Sequence, residues 1–221
     1  MSDQTAAGER SSGASARGSD GAAMARCVAY AAWSELTASP HDLDPRPSLA
    51  DKPTLLEALP FESGLVSLLE EAVGKDLEQL KFEYSGLFEV GDDGPPAPIR
   101  EDLQTGQRAG TREDLVRFYD FFGYRLGADF AWAPDHLSVE LEFMHFLCHR
   151  ECHAQRNVHS YQLAQRDFAQ RHLANWIPTL ARQTAGLRAD AMYGRVVEEL
   201  SRFVISDLKW QNDTIPVTDE V

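Results

Sequence analysis

Apolar residues recur along most of this chain at a spacing of three or four, the period of one face of a helix. From Ala22 to Thr37, Cys27, Val28, Tyr30, Ala31 and Trp33 predict a helix that Pro40, Pro45 and Pro47 end. Leu55, Leu56, Leu59, Leu65, Val66, Leu68, Leu69 and Val73 repeat the period in two pieces split by Pro60. Asp76 to Phe88 repeats it again through Leu77, Leu80, Phe82, Tyr84, Leu87 and Phe88. Residues 89–110 carry Gly91, Gly94, Pro95, Pro96, Pro98, Gly106 and Gly110, and read as a long functional or mobile loop. Thr111 with Asp114 resembles a capping box opening a helix of Leu115, Phe118, Tyr119, Phe122 and Leu126. Asp135, after Pro134, is placed to cap the longest helix, about 136–155. Further helices are expected over Ser160–Trp176, Pro178–Gln183 and Asp190–Asp207. Sustained period-two alternation is missing, so the fold class is all-α in one compact domain.

The ends differ from this body. Residues 1–21 are rich in Ser, Gly, Ala and Asp, a composition that buries too little surface to offset the entropy of ordering, and they read as a disordered tail. The helical domain is expected over 22–208, with a C-terminal tail over 209–221. The N-terminus has no uninterrupted apolar core of a signal peptide, and no run of about 18 apolar residues would span a membrane. Cys27, Cys148 and Cys152 are an odd set for a disulfide framework and suit a reducing compartment. A cytoplasmic location is the expectation.

Charge then narrows the partners. A formal net charge of −14, without a Lys/Arg stripe, excludes a nucleic-acid backbone and suits a basic peptide segment, or simply keeps the chain in solution. A phosphate loop, a nucleophile elbow and a paired-Cys zinc signature are all missing, so the expectation is no enzyme, no catalytic residues and no cofactor. His145, His149 and His153 share a face at i, i+4, i+8. They read first as a solvated stripe; the alternative function is a metal-binding enzyme or sensor using that face. Asp135 and His136 read as a helix start, or else as an acid–base pair. Tyr84, Leu87 and Phe88 read as core, or else as the wall of a peptide groove beside the loop.

Three segments, in order, resemble the TorD/DmsD/NarJ family of redox-enzyme maturation chaperones. Pro134-Asp135-His136-Leu137 with Glu140-Leu141-Glu142-Phe143-Met144 is similar to the signature at the head of that family's central helix. Tyr84-Ser85-Gly86-Leu87-Phe88 before the proline loop resembles its aromatic-x-x-Leu-Phe element, and Phe168, His172-Leu173, Trp176 and Pro178 resemble a third. The wording "E-L-E-F-M" is nearest to chaperones of type II dimethyl-sulfoxide-reductase-family enzymes. The resemblance implies an all-helical chaperone. It would bind the twin-arginine leader and apo form of a molybdopterin oxidoreductase subunit and assist cofactor insertion before export, as monomer or dimer. It also implies a leader site of Tyr84, Leu87, Phe88, Pro98, Asp135 and His136, with Asp135 pairing to a leader arginine.

Overall fold

The computed structural model describes Arg17 and residues 21–91, 94–106, 110–127, 133–188 and 191–215. Among them the helices are α1 (Ala22–Thr37), α2 (Arg46–Leu49), α3 (Leu65–Gly74), α4 (Leu77–Phe88) and α5 (Glu101–Gln104). They continue with α6 (Thr111–Phe122), α7 (Leu137–His153), α8 (Val158–Phe168), α9 (Ala174–Arg188) and α10 (Met192–Thr214). The only pairing outside helices among the described residues is an isolated antiparallel bridge, Arg100 with His136. The all-α expectation holds.

Small side chains decide how the centre packs. On α1, Cys27 lies beside His145 and Ser34 donates to the Ser138 carbonyl at 2.8 Å, so α1 runs antiparallel along α7. That is the most extensive helix pair of the molecule. The larger residues of α1 point the other way. Tyr30 and Trp33, both fully buried, meet Phe203 of α10 at 5.2 and 5.7 Å between ring centroids. A second aromatic centre gathers around Phe143 of α7, with Tyr119 of α6 and Phe168 of α8 each 4.8 Å away. Edge-to-face rings of this kind add about 0.5–1.5 kcal/mol each beyond the area they bury. α9 packs against α10, and a π turn over Ala169–Leu173 joins α8 to α9.

The piece over residues 55–59 is no α-helix, only a 3-10 turn over Pro53–Leu55, and local physics accounts for the other places where the pattern misled. Thr111 is the first helical residue of α6 and not its cap; Gly110, at φ 100, makes that turn in a conformation a side chain would strain. α6 stops at Phe122 because Gly123, at φ 72, closes it, with its N–H and that of Tyr124 bonding back to Asp120 and Tyr119. Pro178 does not divide two helices but lies inside α9. Its missing N–H and ring are tolerated one turn after the π turn, where the ladder is already out of step. The Pro/Gly loop holds the helical turn α5, and the loop is tied down: Gln183 of α9 donates to the Pro96 carbonyl and Gln104 to that of Pro98, both at 2.8 Å. α10 runs on to Thr214, so 209–214, expected as tail, are helix. The periodicity fades there because the buried faces are polar: Asp207 and Gln211 are fully buried and hydrogen-bond each other at 2.7 Å. Apart from Gly21 and Ile215 at their inner edges, the expected tails otherwise lie outside the described residues, with one exception. Arg17 is helical and 4% exposed.

Candidate functional site

Asp76 caps α4 by accepting from the N–H groups of Glu78 and Gln79, which fixes where the helix starts. Tyr84 and Phe88 then share one face, one turn apart, with ring centroids 5.0 Å from each other and 5.3 and 5.9 Å from Tyr193. Tyr84 donates its hydroxyl to the Thr37 carbonyl at the end of α1. Both rings are buried, at 1% and 3% exposure, yet their outer edges form the inner wall of a hollow of 190 Å³. Pro95, Pro98, Leu103 and His136 line its other walls, and Ser39, Asp42 and Glu89 stand among the lining polar groups. Four of the six residues singled out in the sequence therefore meet here: Tyr84, Phe88, Pro98 and His136.

The other two do not reach the hollow. Leu87 is turned into the core, and its carbonyl accepts the Ala97 N–H at 2.9 Å, stitching α4 to the loop. Asp135 is fully buried. Its carboxylate takes Arg100 at 2.8 and 3.2 Å and stands 3.4 Å from Arg112. The expected pairing of Asp135 with a leader arginine is thus pre-empted by two arginines of the chain itself. The same pairing explains why Asp135 is not the cap of α7. That role falls to His136, whose Nδ1 accepts from the Ser138 N–H at 3.3 Å and lies 2.8 Å from the Ser138 hydroxyl.

An acceptor role at Nδ1 requires the proton on Nε2 and a neutral ring. Burial, and then the Arg100 charge, pull the His136 imidazole down to about 4, so it is neutral at cellular pH. The proline loop is clipped to it through the backbone, as Glu101 donates to the Asp135 carbonyl and Leu137 to that of Ile99, at 3.0 and 3.1 Å.

Behind the cap, two carboxylates hold the third sequence segment, one from the proline loop and one from α7. His172 meets Glu101 at 2.9 Å, and the Trp176 indole donates to Glu140 at 3.2 Å. Glu140 is fully buried, and burial together with the Glu101 charge pushes its carboxyl well above the usual range. Sequence reasoning gave no role to Arg100, Glu101, Asp42 or Glu89. The run Ile99-Arg100-Glu101, an apolar residue and two opposite charges inside a Pro/Gly loop, was the one available signal.

A larger hollow of 670 Å³ lies between α6 and α8, lined by Phe118, Phe121, Phe122 and Leu163 with Arg117 and Arg166. None of the six candidate leader-site residues borders it. On the histidine stripe, the Nδ1 of His145 lies 2.9 Å from the Cys27 carbonyl, and the rings of His149 and His153 stack at 4.2 Å. Among the described residues no cluster of three or more His, Cys, Asp or Glu is arranged to hold a metal ion. No helix of the described chain is long and apolar enough to cross a membrane.

Comparison with known proteins bears on this arrangement. Residues 50–182 match the family model described as nitrate reductase delta subunit. The chain belongs to that family. It is the NarJ/TorD type of redox-enzyme maturation chaperone that the three motifs resemble. The chain is 38% identical over 146 residues to the chlorate reductase assembly chaperone protein of Ideonella dechloratans, covering 63% of this chain and 72% of that one. It is 40% identical over 134 residues to the selenate reductase assembly chaperone protein of Thauera selenatis, covering 56% and 67%. The perchlorate reductase assembly chaperone protein of Dechloromonas aromatica (strain RCB) is 33% identical over 137 residues, covering 60% and 61%. A solved structure from Archaeoglobus fulgidus overlaps 81% of this chain and 93% of its own at a TM-score of 0.47 and 18% identity, a likeness too loose to carry weight.

Proposed function

We propose that this member of the family is a cytoplasmic assembly chaperone, not an enzyme. Its client is the precursor of a molybdopterin-containing oxidoreductase subunit, whose twin-arginine leader it binds while the apo subunit awaits its cofactor. The homologues are assembly chaperone proteins of reductases, which supports the class.

The observation that carries the leader reading is the hollow beside His136. Its 190 Å³ is below the roughly 300–1,000 Å³ of sites that hold a small molecule or cofactor, and it suits one or two apolar side chains. Tyr84, Phe88, Pro98 and Leu103 give it an apolar floor and walls, while Asp42 and Glu89 are exposed acids on its lining. Glu89 is aimed by hydrogen bonds from the Ser39 and Ser85 hydroxyls at 3.2 and 2.7 Å. A leader offers guanidinium groups followed by apolar residues, the complement of that lining. Asp135 then acts as the anchor that holds Arg100 and the proline loop against the head of α7. Asp42 and Glu89 take the role of meeting the leader's arginines.

Calorimetric titration of the client's leader peptide tests this. Replacing both acids, Asp42→Lys with Glu89→Lys, is expected to weaken binding by about tenfold or more at low salt, since like charge then faces the arginines. Unchanged affinity would remove the hollow from the leader site.

A further inference from the structure

Arg17 is the one described residue before Gly21, and it sits in a pocket shaped for a guanidinium group. Its Nε and Nη2 donate to the two oxygens of Glu151, at 3.0 and 3.1 Å, and Nη1 donates to the Thr214 hydroxyl at 3.0 Å. The guanidinium carbon lies 4.4 Å from the centre of the Trp210 ring. A two-toothed carboxylate, a hydroxyl and an aromatic face are the groups that distinguish arginine from lysine, whose ammonium has neither a fork nor a plane.

The walls are held by residues other than Arg17. Gln162 and Gln165 of α8 donate to the two Glu151 oxygens at 2.9 and 2.8 Å and so fix the carboxylate. The Thr214 hydroxyl bonds back to the Trp210 carbonyl at 2.7 Å. Arg26, whose Nη1 is buried without a hydrogen-bond partner, stands 3.7 Å from Glu151 and leans on the same Trp210 ring at 4.7 Å. Asp207 holds Arg26 through Nε and Nη2, so Arg26 does not take the place of Arg17 when that place is vacated.

We propose that Glu151, Trp210 and Thr214 form an arginine-binding site that the chain's own N-terminal segment fills through Arg17, and that an arginine side chain of another peptide enters when Arg17 leaves. The site lies at the C-terminal end of α7. His136 is at its N-terminal end, so the two are separated by about 22 Å of helix. The site is thus distinct from the leader hollow and stands or falls independently of it. A residue tethered in cis competes at an effective concentration in the millimolar range, so the filled site is masked from dilute peptides.

The test uses the full chain with Nα-acetyl-arginine amide as probe and Nα-acetyl-lysine amide as control, read by calorimetry and by the Trp210 indole resonance. Arg17→Ala is expected to bind the arginine amide at least about tenfold more tightly than the unaltered chain and to shift that resonance, with the lysine amide inert. Arg17→Ala with Trp210→Leu is expected to lose the binding. No saturable binding to Arg17→Ala, equal binding with Arg17 in place, or equal binding of the lysine amide overturns the proposal. So does failure of both Arg17→Ala and the milder Arg17→Lys to fold, since a side chain on which the fold depends is not exchangeable.

Discussion

The two ends of α7 both carry arginine–carboxylate clusters, and they have opposite characters. At the C-terminal end Arg26 and Asp207 are fully buried, Arg17 and Glu151 nearly so, and aromatic and amide groups close around them. At the N-terminal end the carboxylate of Asp135 is fully buried, but its partners are not: the side chains of Arg100 and Arg112 are 23% and 41% exposed, and a hollow opens beside Arg100. The same pairing chemistry therefore does different work. Closed over by Arg17, it holds three helices together. Open on one side, it anchors a loop and leaves an acid-lined apolar hollow next to it.

Breaking each cluster by its carboxylate is the harshest way to separate the two. Asp207→Ala strands a fully buried guanidinium and also removes the acceptor of the Tyr30 hydroxyl at 2.7 Å, so a loss of about 3–5 kcal/mol is expected in urea unfolding. Asp135→Ala leaves arginines that can turn to water, and about 1–3 kcal/mol is expected. Equal losses would mean that the ends are energetically alike and the comparison is false.

The next effect is one of pH and is read at the open end. His136 titrates near 4 in the folded chain, against about 6.5 when unfolded. Between those values the unfolded chain binds the extra proton, so stability is fully present above the unfolded value and declines as pH falls toward 4. The expected loss is on the order of 2–3 kcal/mol, reduced by whatever water reaches the half-buried ring. His136→Asn keeps an acceptor for the Ser138 N–H without a titrating ring, and thermal melts of it are expected to show a flatter profile from pH 6.5 to 4. A variant that follows the unaltered chain over that window would assign the slope to another group.

The smallest effect separates the two partners of Asp135. Arg112 is 3.4 Å away and partly exposed, so Arg112→Ala is expected to cost under about 1 kcal/mol by the same urea measurement. A larger loss would make Arg112 a full member of the anchor.

What the sequence disclosed follows from where the physics is local. α1, α4 and α7 were readable because apolar residues recur regularly on their buried faces despite Arg26, Glu140 and Glu151, and Pro40 and Asp76 marked ends through backbone chemistry. The turn α5, the passage of α9 through Pro178 and the last residues of α10 were not. Each is held by partners distant in the chain: Glu101 by His172, Gln183 by Pro96, and Arg17 by Glu151 and Trp210. The site was half legible for the same reason. Tyr84, Phe88, Pro98 and His136 were found by motif and do meet, but the acids on the lining carry no periodicity. The Asp135 pairing with Arg100 across 35 residues is invisible until the chain folds.

Photo-crosslinking tests the central claim most directly. A photoreactive side chain placed at Leu103, on the hollow, and in a second protein at Phe121, which is 81% exposed on the larger α6–α8 groove, is offered the precursor of the client subunit. The account predicts a crosslink to the leader from position 103 and none from position 121. Capture of the leader at 121 with none at 103 would contradict it.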